Sequence, residues 1–177
     1  MPELLDQHEL ITVPSYRLIT MRDEDNDAGA GLDEAITQAD TVVVASTGYE
    51  LVISCAQDIL PVSVHLEVWS ARPADADEPG WSRPRAFELE CPSALVVLSS
   101  PTGGALDASL PGGQGVYALD VVYRGREQAL AARRHVLEHE DTVSHVQAVA
   151  ATQPGGFERY RIRMWLMAPL PDEDEDE

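Results

Sequence analysis

The chain has 177 residues, enough for one sizeable hydrophobic core, and 44% of them are hydrophobic, which excludes a disordered acidic polymer. It carries 31 acids against 12 bases, a formal charge of −19, and without the six consecutive acids at 172–177 the remainder still stands at −13. A surface of that sign repels phosphate backbones, so the composition predicts no direct nucleic-acid partner and favours a basic protein.

All 12 bases are arginine, which with abundant Ala, Gly, Pro and Val suggests a high-GC bacterial genome. The opening "MPELLDQHEL" has neither the basic nor the apolar region of a signal peptide, and no apolar run is membrane-length. Cys55 and Cys91 stand alone in apolar runs and read as buried reduced thiols, with a disulfide between neighbouring strands as the other possibility. These features predict a cytoplasmic protein with no membrane partner.

In chain order, "LITVPSYRLITMR" (10–22) reads as one or two strands broken near Pro14. After the polar "DEDNDAGAG", the segment "LDEAITQAD" predicts a short helix with Asp33 and Glu34 favourably placed in its first turn. Residues 41–47 and 50–56 flank Gly48-Tyr49 as a hairpin. "VSVHLEVWSA" alternates cleanly, with Val62, Val64, Leu66 and Val68 on one face.

The loop "RPADADEPGWSRP" leads into "RAFELEC", "SALVVLSS" and "ALDASLP". "GVYALDVVYRG" then places Tyr117, Leu119, Val121 and Tyr123 on one face. Residues 126–140 carry a thin helical stripe of Ala129, Leu130, Arg133, Val136 and Leu137. "DTVSHVQAVAATQPGG" is expected as a short strand or a loop. "FERYRIRMWLMAP" sets Tyr160, Ile162, Met164 and Leu166 opposite Phe157, Arg159, Arg161, Arg163, Trp165 and Met167. The pattern predicts a mainly all-β fold, an antiparallel β-sandwich of eight or nine strands with one or two short helices. It would be a single domain over 1–170, with 126–154 as a helical insertion and 171–177 as a disordered acidic tail.

"HVLEH", 135–139, matches H-x-x-E-H, in which two imidazoles four residues apart face one zinc ion and a glutamate polarises water. A metal-dependent hydrolase using His135, Glu138 and His139 is therefore an alternative. No second long helix follows to supply a third ligand, and His145 is expected past the helix end. The glycine segments lack the residues of a phosphate-binding loop. The reading is thus non-enzymatic, with no cofactor, no catalytic residue and no metal site.

The acidic clusters Asp23, Glu24, Asp25, Asp27 and Asp75, Asp77, Glu78 serve solubility or steer a basic partner. Trp81, in "EPGWSRP", either anchors that interface or folds back over the core. These eight are the candidate partner-binding residues. A role as a structural or accessory component of a larger assembly is a further alternative.

The segments "SYRLITM", "LDEAI", "LPGGQGVYALDVVY" and "ERYRIRMW", in that order, resemble the competence protein J family of DNA-entry nuclease inhibitors. The resemblance implies a β-sandwich that binds and inhibits a nuclease, and it transfers no catalytic residues. The stretch from Glu127 to Pro154 and the acidic tail depart from the family pattern. The expectation is an inhibitor or immunity-type factor for a nuclease or another basic partner.

Overall fold

The computed structural model describes residues 1–26, 29–75 and 78–171. Asp27, Asp77 and the acidic run 172–177 lie outside them. In chain order the elements are β1 (Leu4–Thr12), β2 (Leu18–Asp23), α1 (Leu32–Val42), β3 (Val44–Ser46), β4 (Glu50–Ser54) and β5 (Val62–Trp69). They continue as β6 (Arg85–Cys91), β7 (Leu95–Ser99), β8 (Ala105–Ser109), β9 (Gly115–Arg124), α2 (Arg126–Leu137), α3 (Thr142–Thr152) and β10 (Arg159–Pro169). One sheet runs β1-β5-β10-β9-β6 and the other β3-β4-β2-β7-β8.

The fold is mainly β, as expected, and three details differ. Ten strands and three α-helices are present among the described residues, against eight or nine strands and one or two helices. The strand pairing is not wholly antiparallel, because β10 enters between β5 and β9 and runs parallel to β5, with Tyr160 opposite Val64 and Ile162 opposite Leu66. Residues 142–152, expected as strand or loop, form a helix. Val-rich composition pointed to a strand, but Asp141 caps the helix by accepting a hydrogen bond from the Ser144 N–H at 3.2 Å.

Alternation on the long strands places the core. Val62, Val64, Leu66 and Val68 of β5, Leu119 and Val121 of β9, and Tyr160, Ile162 and Met164 of β10 are buried. They belong to one apolar cluster with Ile19, Met21, Leu51, Ile53, Val96 and Leu98 of the other sheet. Each such side chain stabilises the fold by roughly 1.5–3 kcal/mol relative to exposure. On the far side of the second sheet, Ala35 and Ala39 of α1 pack on Ala45 and Val52.

The helical arm α2–α3 is tied down at its base. Glu158 is fully buried. Its carboxylate accepts from the Ala56 N–H at 2.6 Å, Gln57 Nε2 at 3.4 Å, an Arg126 guanidinium nitrogen at 3.3 Å and the Tyr160 hydroxyl. The same Arg126 nitrogen donates to the Ser54 carbonyl and the Tyr160 oxygen, both at 2.7 Å. Gly125 and Gly156, at φ +78° and +72°, are required here, since a Cβ at either would collide with the backbone carbonyl of Phe157 or Pro61. Beyond this base the arm is thinly packed. Only Ala129 and Val136 of α2 are buried, no residue of α3 is, and Leu130 and Leu137 of the expected stripe are exposed.

Replacing Glu158 with Ala strands Arg126 beside the core and is expected to cost about 3 kcal/mol or more in urea unfolding. Glu50 provides an opposite case. It is buried, one carboxylate oxygen has no hydrogen-bond partner, and burial raises its pKa against the lowering effects of Thr20 and Arg22. A raised pKa means the folded state holds the proton more tightly. The stabilising contribution is therefore complete below the ordinary carboxylate range and lost as pH rises through the folded value. Glu50→Gln should raise Tm near pH 7 and leave it unchanged near pH 4, measured by thermal melts across that range.

Candidate partner-binding surface

The outward face of the β1-β5-β10-β9-β6 sheet is built from the alternate residues of its strands, and at its centre it carries a charge pair. Arg163 of β10 lies opposite Asp120 of β9. The guanidinium holds the carboxylate bidentately, Nε to Oδ1 at 2.8 Å and a terminal nitrogen to Oδ2 at 2.6 Å. Both side chains are nearly buried, and the remaining terminal nitrogen donates to the Ala74 carbonyl at 2.9 Å. The pair thus fixes β10 to β9 and pins the start of the loop that crosses this face.

The end of that loop is pinned by Trp81. Arg124 and Arg161 both stack on its ring, with guanidinium carbons 4.5 and 4.8 Å from the ring centre. Arg161 also donates to Glu78 at 3.0 Å, which holds the Glu78 carboxyl below its usual pKa. Ser82 exchanges hydrogen bonds with the Tyr123 backbone, N–H to carbonyl at 2.8 Å and hydroxyl from N–H at 3.0 Å. Trp81 is half-buried and engaged by the protein's own cations. Its ring lies against the outward face of the sheet between these two arginines, with part of it open to solvent.

Beside the pinned loop, the face opens into a groove of about 810 Å³. Ala86, Ala118, Trp165 and Met167 give it an apolar lining, and Asp75 and Glu88 place carboxylates on it. Met167 is 55% exposed. An apolar patch bordered by charge is the composition of a protein–protein contact surface. Trp165 and Met167 carried a signal in the sequence. They end an outward-facing row that is otherwise arginine, where a purely solvated face would continue polar.

The acidic candidates separate. Asp23 is fully buried, its oxygens accepting from the Ser93 N–H, the Ser93 hydroxyl at 2.7 Å and the Asp25 N–H at 3.0 Å, so it closes a turn and offers nothing to a partner. Glu24 and Asp25 are exposed on that turn, which Asn26 ties to the Glu90 carbonyl at 2.6 Å. Asp75 is exposed, 3.7 Å from Arg72 and 3.8 Å from Arg163. Asp27 and Asp77 lie outside the described residues.

His145 lies past the end of α2, as expected, and the α2–α3 turn brings it back beside the H-x-x-E-H segment. Its ring centre lies 3.8 Å from that of His139 and 6.4 Å from that of His135. His139 Nδ1 is hydrogen-bonded to the His135 carbonyl at 2.7 Å. Among the described residues, no group of three His, Cys, Asp or Glu side chains is arranged to hold a metal ion. Cys55 and Cys91 are buried and free, and burial pushes both thiols up, Cys91 to about 12, where the thiolate is inaccessible at neutral pH.

No family model matches the chain, and no curated protein matches it in sequence. Solved structures do match. One is the crystal structure of ComJ, inhibitor of the DNA degrading activity of NucA, from Bacillus subtilis. It shares 12% identity over 94% of this chain and 99% of that one, with a TM-score of 0.55. Another is crocagin biosynthetic gene J, at 13% identity over 91% and 97% of the two chains and a TM-score of 0.53. The chain shares their fold. The likeness to the competence protein J family seen in the sequence is thus present in three dimensions, and at these identities it concerns the fold alone. No helix among the described residues is long and apolar enough to cross a membrane.

The central charge pair can be tested directly. Arg163→Ala leaves Asp120 buried and uncompensated and should cost about 3–5 kcal/mol in urea unfolding. The double replacement Arg163→Met with Asp120→Leu should recover most of that loss.

Proposed function

We propose that this chain is a non-catalytic protein-binding module that inhibits a nuclease, with the groove over β6, β9 and β10 as its contact surface. The observation that carries the reading is the fold shared over nearly the whole chain with ComJ, an inhibitor of a DNA-degrading activity. The charge supports it. An enzyme that takes DNA must present a basic face to the phosphates, and a body at −13 without its terminal acids is attracted to the same face. Glu88 and Asp75 would meet that face around an apolar centre of Trp165 and Met167. Glu24 and Asp25 would act from farther off, by steering.

Two free, buried thiols suit a reducing compartment, and we place the protein in the cytoplasm of a bacterium. The likeness to crocagin biosynthetic gene J shows that the fold occurs in another context, so fold alone does not choose the partner. The excess of acids is what favours the inhibitor role over an accessory one.

The test is capture of partners from a lysate of the source organism on the immobilised protein at low salt, followed by a DNA-degradation assay. A captured nuclease should be inhibited stoichiometrically, with affinity falling as salt rises from about 50 to 300 mM. Met167→Arg should weaken binding about tenfold or more. Capture of no nuclease, or inhibition indifferent to both salt and Met167, would sink the proposal.

A further inference from the structure

The sheet that carries the groove ends, on its opposite side, at β1. Among the described residues, this nine-residue strand pairs with β5 alone, in antiparallel register from Gln7 opposite Glu67 to Thr12 opposite Val62. The direction of its free backbone groups follows from one bond. Ser63 of β5 turns its N–H the other way, to the Glu158 carbonyl at 3.2 Å at the start of β10. Ile11 lies opposite Ser63, so this is a non-hydrogen-bonded pair. By the antiparallel alternation, Gln7, Glu9 and Ile11 all direct their N–H and carbonyl groups away from β5; the Gln7 N–H meets the Asp6 carboxylate at 2.9 Å, a local bond that an added strand would replace. All three residues are exposed.

Open edges are usually blunted by lysine, proline, a bulge or a covering element. β1 has no lysine and no proline, and its one register shift lies at its far end, between Leu4 and Asp6. Its outward side chains alternate in kind, with Leu5 at 43% and Ile11 at 48% exposure on either side of Gln7 and Glu9. The charge is of one sign: Glu3, Asp6 and Glu9 fall in the first sixteen residues, which contain no arginine. The histidines here already face acids, His8 against Asp6 at 2.9 Å and His65 against Glu9 at 3.1 Å.

We infer that the free edge of β1 accepts an extended segment of a partner protein in which basic and apolar side chains alternate. Backbone bonds to Gln7, Glu9 and Ile11 would extend the sheet by one strand. A cation would sit opposite Glu9, and apolar residues would lie against Leu5 and Ile11. A second copy of this chain is disfavoured as the occupant because it would bring another acidic strand, on a body of charge −19, against the first. The inference rests on the reading of a basic protein partner and does not involve the groove.

The test uses the full chain and a labelled ten-residue peptide alternating arginine and valine, with an acidic counterpart alternating glutamate and valine. A third peptide repeats the basic sequence with N-methyl groups on the amides of one edge. The basic peptide should bind and slow hydrogen exchange at the Gln7, Glu9 and Ile11 amides about tenfold or more. The N-methylated peptide should lose that protection if the edge it blocks is the one that pairs, so both edges are tried. Ile11→Pro removes an outward N–H at an edge that tolerates proline, and should weaken binding while leaving Tm near wild type. Glu9→Arg should weaken it further.

Equal binding of both N-methylated forms, equal binding of the acidic peptide, or protection mapping elsewhere would overturn the inference. So would concentration-dependent protection of β1 without peptide, which would make a second copy the occupant. Inhibition of a captured nuclease that is unchanged by Ile11→Pro would remove the edge from that contact and leave the inhibitor reading standing. Edge protection by peptide with no nuclease captured would do the reverse.

Discussion

The buried carboxylate of Glu158 is where the parts of this molecule meet. Its donors come from the segment after β4 in one sheet, from β10 in the other and from the first residue of α2. A charge with no solvent access survives in a protein only when its lone pairs are met, and here backbone, amide, guanidinium and phenol meet them. Burial and the neighbouring carboxylate together push the adjacent Cys55 thiol upward. The Ser63 N–H reaches the carbonyl of the same residue, so β10 and β5 are set in register from this point.

A related constraint shapes the surface. Several of the 12 arginines are engaged internally: Arg163 with Asp120, Arg161 with Glu78 and Trp81, Arg126 with Glu158, and Arg17 with Asp40 and Ser54. Each of these ion pairs cancels one acid against one base, so the excess of acids in the composition is left for the remaining surface, which includes an apolar groove on one side of the sheet and an open strand edge on the other.

Much of the fold was legible in the sequence because β5, β9 and β10 each carry an alternating apolar row that supplies the core, although Asp120, Val122 and Arg163 of the outward rows are buried as well. The features that were not legible depend on partners distant in sequence. Residues 4–9 of β1 were not read as strand, because one edge and much of the outward face of β1 meet solvent and carry polar side chains. The parallel β5–β10 pairing leaves no local trace. Asp23 stood in an acidic run and read as surface, yet Ser93, seventy positions on, takes up its carboxylate. Trp81 could not be assigned without knowing where Arg124 and Arg161 would lie. His145 was placed past the helix end, but that α3 would bring its ring beside His139 left no mark in the sequence. The groove was half visible, as an apolar pair ending a row of arginines.

The place of β10 has a consequence for how the chain reaches this structure. It is last in chain order among the strands yet lies in the middle of its sheet, between β5 and β9. Until it inserts, β1–β5 and β6–β9 are separate two-stranded ribbons, and such ribbons are marginal alone. The contact that joins them, β10 with β5, closes a loop of roughly a hundred residues, the kind of non-local pairing that slows folding toward milliseconds to seconds. During that interval β5 and β9 each expose an edge of unpaired backbone groups, and the like charge of unfinished copies disfavours their pairing with one another.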